Sequence, residues 1–280
     1  MPTAVAAMDL GYEVHVVAID DGVAEELKNT GVIFHVRSMQ NNTSPVIASV
    51  LGLLQLLIIS IRVRPSILHL IGLKSSPVAL VSALFLWRSR ILLSINGLGY
   101  LFSNPELGFF HRLFRQLIMT AFTVVTSIRN VELIFQNDDD KAVFTTSRLL
   151  RKASFHTVRG SGVDTGYFQL EPLPSSQPEF LFGMACRMVE IKGVLELIAA
   201  VTQLQDEGLP IKLLLAGDVD HGNPGSLSRI HLAELCAREG IEWRGYVNDI
   251  KGFWSNCHVG VLPSHGGEGV PMALLMAAAM

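Results

Sequence analysis

The chain has 280 residues, of which 49% are hydrophobic and only 17% charged, and its formal net charge at pH 7 is −3. Roughly 25% of the residues in an average globular domain are charged, and a lower fraction is expected where parallel strands are buried on both faces. Because the net charge is slightly negative, the composition argues against nucleic acid as the main partner. The length allows two domains of ordinary size or one large domain.

Cysteine usage and the amino terminus indicate a cytoplasmic protein. The three cysteines are odd in number, far apart and without metal-ligand spacing, so they predict neither a disulfide framework nor a metal site. Residues 1–10 lack the basic start and apolar core of a signal peptide. The apolar stretch 46–61 is shorter than the ~20 residues that span a bilayer, and we interpret it as a buried or interfacial helix.

In the first part of the chain, apolar runs of strand length alternate with helical patterns. The predicted strands cover residues 12–18, 32–36, 66–70, 90–95, 131–135 and 155–159. The predicted helices cover residues 3–10, 23–30, 46–62, 77–87 and 109–125, and another begins near residue 137. This alternation predicts a parallel, doubly wound sheet with right-handed crossovers.

Residues at two predicted strand ends are candidates for a ligand site. His69 lies near the carboxyl end of its strand, where ligands of open α/β sheets bind, although a half-buried histidine bonded to a backbone carbonyl is an equal alternative. The next strand ends in two glycines, which allow either close approach of a ligand or a tight turn. That segment consists of Asn96, Gly97, Leu98, Gly99 and Tyr100.

Two further segments of the first part each allow two interpretations. The helix 109–125 carries an apolar face with Arg112 and Arg115 near it, which is typical of a helix on an anionic membrane and equally of a core-packing helix. The face consists of Phe109, Phe110, Leu113, Phe114, Leu117 and Ile118. Residues 138–140 are all aspartates, and we interpret them as a helix start, because adjacent carboxylates do not converge on one metal ion without a fixed loop geometry.

A segment rich in proline and serine separates two predicted domains. We therefore predict a first domain at 1–168, a linker at 169–178 and a second domain at 179–280. The predicted strands of the second domain cover residues 180–186, 211–216, 241–246 and 259–262. Its predicted helices cover residues 194–206, 227–239, a short piece within 247–254, and 271–280.

Two segments of the second domain have the chemistry of a phosphate and sugar site. Arg187 and, five residues later, Lys192 precede a glycine at a helix start, where a planar fork, a point charge and the helix dipole all favour an anion. Near the end of the chain, a strand, a glycine-rich loop and a helix start follow one another around Glu268. A carboxylate is a poor phosphate ligand, so Glu268 either accepts hydrogen bonds from sugar hydroxyls or caps the helix.

Residues 264–279 resemble the donor-site signature of the retaining glycosyltransferases of family 4, which have the GT-B fold. The family pattern is Glu-Gly-x-Pro, a leucine-rich turn and a second glutamate; Glu268, Gly269 and Pro271 match it, whereas Met276 occupies the second glutamate position. The resemblance implies that Glu268 contacts the transferred sugar and that residue 276 lies at the ribose. Methionine cannot accept the hydrogen bonds that a carboxylate accepts from ribose.

Other segments extend this resemblance over nearly the whole chain. Arg187 and Lys192 match two cations that bind the donor diphosphate in the family, and His69 aligns weakly with a histidine near the reacting sugar. The segment 96–100 resembles a subgroup that builds lipid-linked surface oligosaccharides, and we expect it on the acceptor side. The residues expected on the donor side are Arg187, Lys192, Gly193, Gly217, Tyr246, Glu268, Gly269, Val270 and Met276.

The resemblance implies an α/β protein of the GT-B fold, with two Rossmann-like doubly wound domains facing a cleft. The family begins with a strand and a glycine loop and continues beyond the helix at 271–280, so we expect a fragment whose first domain lacks its N-terminal strand and whose second domain is truncated at the C-terminus.

The implied function is retaining transfer of a hexose or N-acetylhexosamine from a UDP- or GDP-sugar to a lipid-linked sugar or glycan, in polysaccharide, O-antigen or lipopolysaccharide biosynthesis. We expect no cofactor and no metal, because the two cations support the leaving diphosphate. We also expect a cytoplasmic protein, peripheral on the inner face of the plasma membrane, with no nucleic acid partner. The alternatives are an inactive nucleotide-sugar-binding fragment, a GT-B nucleotide-sugar epimerase and, less favoured, a metal-dependent GT-A transferase.

Overall fold

A computed structural model describes residues 2–18, 24–36, 45–72, 85–97, 109–145, 153–160, 162–175, 179–221, 223, 225–266 and 268–280. The described residues divide into two compact units, one reaching residue 160 and one starting at Gly162. The second unit thus begins ahead of the linker predicted at 169–178. Glu171, inside that linker, bonds within the second unit: its N–H donates to the Met280 carbonyl (3.0 Å) and its carboxylate accepts from the Ser255 hydroxyl (2.7 Å).

The first unit contains two parallel sheets among its described residues. Its helices are α1 (Pro2–Asp9), α2 (Ala24–Asn29), α3 (Pro45–Val63), α4 (Phe109–Ile128) and α5 (Asp138–Thr145). Its strands are β1 (His15–Ala18), β2 (Ile33–Val36), β3 (Ile67–Ile71), β4 (Arg90–Ile95), β5 (Val131–Phe135) and β6 (Ala153–Thr157). Strand β1 pairs with β2, and β3 to β6 form a four-stranded sheet in chain order.

The core of the first unit lies between α4, α5 and one face of the four-stranded sheet. Every second residue of β4 and β5 is buried, as in Leu93 and Leu133, whereas the residues between them are partly buried or exposed. Phe144 of α5 contacts Phe122 of α4 (ring centroids 5.6 Å apart) and Phe135 of β5 (5.3 Å). The burial alternates because the second face of this sheet is less completely covered.

The second unit is one four-stranded parallel sheet with the strand order β10-β7-β8-β9. Its strands are β7 (Phe180–Ala185), β8 (Ile211–Ala216), β9 (Ile241–Trp243) and β10 (Val259–Gly260). Its helices are a 3₁₀ turn (Glu190–Lys192), α6 (Val194–Asp206), α7 (Arg229–Leu235), α8 (Ile250–Ser255) and α9 (Met272–Ala278). The first strand of the unit therefore lies between the second strand, β8, and the last, β10.

The predicted elements and the observed ones differ mainly at their ends. Helix α7 begins two residues later than predicted, because the Ser228 side chain accepts from the His231 N–H (3.1 Å) and caps it, and it ends four residues earlier. Strand β10 is shorter than predicted: Val261 still donates to the Gly183 carbonyl (2.8 Å), but Pro263 has no N–H to continue the ladder.

The helix predicted at 77–87 falls mostly outside the described residues. Its last residues, Phe85 to Trp87, are described and form turns instead of a helix, which corrects that part of the prediction. The Arg129 guanidinium holds these turns by donating to the Leu86, Trp87 and Ser89 carbonyls.

Helix α3 accounts for the long apolar stretch of the first unit. None of the helices in the described ranges is long and apolar enough to cross a membrane. Helix α3 does expose an apolar stripe, formed by Leu51, Leu54, Ile58 and Ile61. Their spacing of three and four residues places the four side chains on one face of the helix.

Candidate functional site

The candidate site lies where the strands β7 and β10 of the second unit end. All four strands of this sheet are parallel, so their carboxyl ends meet at one edge. The chain leaves β7 toward β8 on one side, while β10 joins β7 on the other side. Ligands of doubly wound sheets bind at such a switch point. Arg187 and Lys192 follow β7 at this point, and Glu268 follows β10.

Lys192 and Glu268 form an ion pair across this switch point, between Nζ and Oε1. The two side chains are only 15% and 24% exposed, respectively. Burial lowers the pKa of Lys192, and the nearby Arg187 charge acts in the same direction, while Cys186 opposes it. Two residues that the sequence assigns to different parts of one ligand are thus in direct contact.

The loop after β10 is also fastened to the 3₁₀ turn after β7 through its backbone. The His265 N–H donates to the Ile191 carbonyl (2.9 Å), and the Ser264 hydroxyl donates to the same oxygen (3.2 Å). The His265 ring donates from Nε2 to the Glu196 carboxylate of α6 (2.9 Å). These contacts fix the distance between the two segments that carry Lys192 and Glu268.

Gly193 joins the 3₁₀ turn to α6, and only glycine fits there. Its φ of 75° is left-handed, which side chains rarely adopt. A Cβ on Gly193 would also overlap the Pro263 carbonyl of the loop after β10. The glycine therefore allows the close approach that brings Lys192 and Glu268 together.

Arg187 lies at the same edge, with an exposed guanidinium that forms an ion pair with Asp220. The distance from Nη1 to the Asp220 Oδ2 is 2.5 Å, and the arginine side chain is 61% exposed. The backbone beyond Arg187 is bonded to the segment after β8: Met188 donates to the Asp218 carbonyl (3.0 Å) and accepts from the Leu227 N–H (2.9 Å). Sequence reasoning missed Asp220, although its position shortly after β8 places it at this edge.

Gly217 and Tyr246, both predicted on the donor side, follow β8 and β9 at this edge. The backbone of Gly217 joins the ends of β8 and β9. Its N–H donates to the Gly245 carbonyl (2.7 Å), and its carbonyl accepts from the Trp243 indole (2.8 Å). A Cβ at Gly217 would overlap the Cys186 carbonyl, and its φ is 126°. The Tyr246 side chain is largely exposed.

Cys186, between β7 and Arg187, is unsuited to nucleophilic chemistry. Burial raises the pKa of its thiol to about 12, although the nearby Lys192 and Arg187 charges act in the opposite direction. The thiol is therefore protonated at neutral pH, and the thiolate is the reactive form.

The residues that follow Glu268 lead into α9. Gly269 and Val270 lie between Glu268 and that helix, whose first residue is Met272, with Pro271 at the N-cap position. Met276 is partly buried and packs against an apolar cluster. The cluster consists of Leu214, Ala216, Phe253, Trp254 and Cys257. The position of Met276 at a ribose remains a prediction from the resemblance.

The predicted acceptor residues belong to the first unit. Asn96 and Gly97 directly follow β4 at its carboxyl end, while Leu98, Gly99 and Tyr100 lie outside the described residues. His69 is half-buried in β3, and a 2.8 Å hydrogen bond joins its Nε2 to the Ser94 hydroxyl of β4 rather than to a backbone carbonyl. Burial lowers the pKa of His69, which favours the neutral imidazole.

The acidic run 138–140 is a helix start, as predicted, because Asp138 is the first residue of α5. The Asn137 side chain accepts from the Asp140 N–H (2.7 Å), and Asp138 accepts from the Thr157 hydroxyl (2.8 Å). Across the described ranges, no three histidine, cysteine or acidic side chains are arranged to hold a metal ion.

Comparisons with protein families match both parts of the chain. Residues 1–130 match a model described as "Glycosyl transferase 4-like", and residues 179–280 match one described as "Glycosyl transferases group 1". No curated protein matches.

Several solved structures share the fold at low sequence identity. Sucrose-phosphate synthase from Thermosynechococcus elongatus is 13% identical, with a TM-score of 0.72 over 99% of this chain and 71% of that one. Anabaena HepE in complex with UDP-glucose is 15% identical, with a TM-score of 0.70 over 95% of this chain and 70% of that one. The lipopolysaccharide outer core galactosyltransferase WaaB is 14% identical, with a TM-score of 0.53 over 89% and 63%.

Proposed function

We propose that this chain, which is a glycosyltransferase with the GT-B fold, transfers a hexose or N-acetylhexosamine from a nucleotide-diphosphate sugar with retention of configuration. The observation that carries the proposal is the meeting of Lys192 and Glu268 at the switch point between β7 and β10. A cation and a carboxylate at one point suit the diphosphate and the sugar of such a donor, respectively. Ammonium hydrogens bind phosphate oxygens, and carboxylate oxygens accept from sugar hydroxyls.

In this proposal the two cations, Lys192 and Arg187, bind the leaving nucleoside diphosphate. Lys192 neutralises the diphosphate as a point charge, and Arg187 adds a planar fork once its guanidinium turns from Asp220 to the phosphates. The backbone N–H groups of Gly269 and Val270, which precede α9, add further donors. Stabilising the departing diphosphate lowers the barrier to glycosyl transfer, and no metal ion is required for that step.

The proposed donor is a UDP-sugar first and a GDP-sugar second. UDP is supported by the structure of HepE with UDP-glucose, whose fold this chain shares. Gly193, Gly217 and Tyr246 lie at the edge of the sheet where such a nucleotide would extend from the diphosphate. Residue 276 is assigned to the ribose.

The proposed acceptor is a lipid-linked sugar or glycan in polysaccharide or lipopolysaccharide biosynthesis. Its support is the subgroup resemblance of the segment 96–100, and the shared fold of WaaB is consistent with it. Asn96 and Gly97 follow β4 at the sheet edge where ligands of this fold class bind, and His69 is the nearest candidate on β3.

We also propose a cytoplasmic location with peripheral contact to the inner face of the plasma membrane. The first half of α4 exposes Leu113 and Leu117, and the exposed Arg112 and Arg115 lie beside them. The second half of the same helix buries Phe122 and residues near it in the core. The core-packing interpretation of this helix thus applies to Phe122 and its neighbours, whereas the exposed Arg112, Leu113, Arg115 and Leu117 suit an anionic lipid surface.

Substitution of Lys192 tests the proposed function. We expect Lys192→Ala to weaken the binding of UDP- or GDP-sugars by about tenfold or more and to abolish transfer, because the diphosphate loses its buried cation. Calorimetry with a panel of UDP-, GDP- and ADP-sugars measures the affinity, and circular dichroism verifies the fold.

A second lysine of the same domain provides the matched control. Lys212 in β8 pairs with Glu179 (2.5 Å) at the surface, so Lys212→Ala removes the same charge without touching the site. We expect its donor affinity to equal that of the wild type. Wild-type affinity in a folded Lys192→Ala protein would contradict the diphosphate role.

An inactive nucleotide-sugar-binding protein is the second candidate function. It is favoured by Met276, which stands where the family resemblance implies a carboxylate and which packs against an apolar cluster. A wild-type chain that binds nucleotide sugars without transferring the sugar to any acceptor would support this alternative.

A further inference from the structure

We propose that Glu268 competes with the donor phosphates for Lys192, and that this competition makes the site hold the product, a nucleoside diphosphate, more weakly than the nucleotide sugar. The inference rests on the proposed function, because it requires a diphosphate at Lys192 and a sugar at Glu268. It adds a role in product release to a residue otherwise assigned to sugar recognition.

Lys192 already has an anionic partner before any ligand binds. Its ammonium is paired with the Glu268 carboxylate, and both side chains are mostly buried. A partly desolvated pair of this kind loses much of its favourable energy when one member is taken away, because the remaining charge stays buried. A phosphate that binds Lys192 therefore has to displace or share Glu268.

The exchange of partners at Lys192 needs no movement of the loop after β10. The Ser264 hydroxyl and the His265 N–H both donate to the Ile191 carbonyl, at 3.2 and 2.9 Å. These bonds hold the loop after β10 to the turn after β7 whether or not the ion pair is formed. Glu268 and Lys192 can thus change partners by rotation of their side chains alone.

The nucleoside diphosphate and the nucleotide sugar differ in what they offer to Glu268. A nucleoside diphosphate binds Lys192 and places its negative charge beside the Glu268 carboxylate, to which it brings no sugar hydroxyl. The Ser264 hydroxyl, 3.5 Å from Oε1 of Glu268, is present with either ligand and does not distinguish the two. A nucleotide sugar takes Lys192 as well, but its hydroxyls donate to Glu268 in place of the ammonium. The sugar hydroxyls thus compensate Glu268 for the loss of the ion pair, and the nucleoside diphosphate has no transferable sugar to do so. The site therefore binds the nucleotide sugar more tightly than the nucleoside diphosphate.

Removal of the Glu268 charge tests the competition. We expect Glu268→Gln to bind UDP, GDP or ADP, whichever binds the wild type best, about tenfold more tightly than the wild type does. The preference for the corresponding nucleotide sugar over the diphosphate is expected to shrink in the same variant. Calorimetric titrations of both ligands with both proteins give the two ratios.

Glu190 provides a matched control for the general effect of removing a negative charge. It begins the same 3₁₀ turn as Lys192, and its side chain is exposed. Glu190→Gln removes the same charge close by without changing the partner of Lys192. We expect its affinity for the diphosphate to stay within about twofold of the wild type, since exposed charges are strongly screened.

The outcomes separate this inference from the proposed function. Glu268→Ala serves as a second variant, and thermal denaturation verifies that each variant folds. If the wild type binds nucleotide sugars but neither folded Glu268 variant binds the diphosphate more tightly, the competition is overturned and the proposed function stands. If neither the wild type nor the variants bind any nucleotide or nucleotide sugar, the proposed function falls, and the competition falls with it.

Discussion

At the scale of single residues, the candidate site contains two ion pairs, Lys192 with Glu268 and Arg187 with Asp220. Arg187, Lys192 and Glu268 each follow a predicted strand of one parallel sheet, so their presence at one edge could be predicted. The Lys192–Glu268 pair could not, because it depends on β10 lying next to β7. The Asp220 partner of Arg187 lies after a third strand, and no spacing in the sequence links the two residues.

Substitution of Met276 tests whether the side chain at position 276 faces the ribose. We expect Met276→Glu to tighten binding of nucleotide sugars by about tenfold, because a carboxylate accepts the hydrogen bonds of ribose hydroxyls and a thioether does not. We also expect a lower melting temperature, since the new carboxylate lies against an apolar cluster.

Two measurements check this prediction, calorimetry for the affinity and thermal denaturation for the stability. Met276→Leu is the control: it keeps an apolar side chain of similar size, so neither quantity is expected to change appreciably. An unchanged affinity in folded Met276→Glu would show that residue 276 does not reach the nucleotide.

At the scale of elements, helix α6 has a left-handed glycine at each end, and only one of them is crowded. Gly193 precedes the helix with a φ of 75°, and Gly208 follows it with a φ of 87°. A Cβ at Gly193 would overlap the Pro263 carbonyl, whereas a Cβ at Gly208 would meet no atom within 4 Å. The two positions therefore separate backbone strain from steric overlap.

We expect Gly208→Ala to lower the free energy of unfolding by about 1 kcal/mol through backbone strain alone, with nucleotide binding retained. Gly193→Ala has the same strain, and the overlap adds roughly 1–3 kcal/mol. It is also expected to weaken nucleotide binding, because the loop after β10 must move away from Lys192. Urea denaturation and calorimetry measure the two effects, and equal losses in both variants would contradict the crowding.

Strands were more predictable than helices in this chain. Each predicted strand has an observed counterpart, because short apolar runs between turn residues leave few alternatives. The start of α7 has a signal in the sequence, because Ser228 is a preferred N-cap residue, whereas its end does not, because the residues beyond Leu235 continue the helical pattern. Leu113, Leu117 and Phe122 all belong to the apolar pattern of α4, yet the two leucines are exposed and the phenylalanine is buried.

At the scale of the whole molecule, the class of fold followed from the alternation of strands and helices, and the GT-B architecture from the family resemblance. Periodicity does not determine the order of strands in a sheet; the position of β10 beside β7 is the order of a Rossmann-like domain, which only the resemblance implies and which the structure shows. The start of the second unit at Gly162 was also not predictable. The proline-rich composition of residues 169–178 predicts a linker and does not indicate that Glu171 bonds to Ser255 and Met280 within the second unit.

The contact with a membrane involves the molecule as a whole and is measurable with lipid vesicles. We expect the wild type to bind vesicles that contain phosphatidylglycerol and not vesicles of phosphatidylcholine alone. Reversing the exposed charge in Arg115→Glu is expected to weaken that binding by about fivefold or more, since each basic residue at such a surface contributes about 1 kcal/mol. Sedimentation with vesicles gives the bound fraction.

Arg159→Glu is the control for this measurement. It makes the same change of net charge at an exposed residue that follows β6 and lies away from α4 in the sequence. We expect it to bind vesicles as the wild type does. Equal weakening by both variants would mean that net charge, and not the exposed residues 112, 113, 115 and 117 of α4, determines the binding.

The strand order of the second unit also affects the order in which its strands can pair during synthesis. Phe182 of β7 pairs with Val259 of β10, so these two strands come together only after the residues between them have left the ribosome. Contacts between residues so distant in the sequence form slowly, because a long loop must close first. During synthesis, β7, β8 and β9 can pair before β10 exists. The candidate site between β7 and β10 is therefore completed only after β10 has been made, and a nucleotide that binds there would not assist any earlier step of folding.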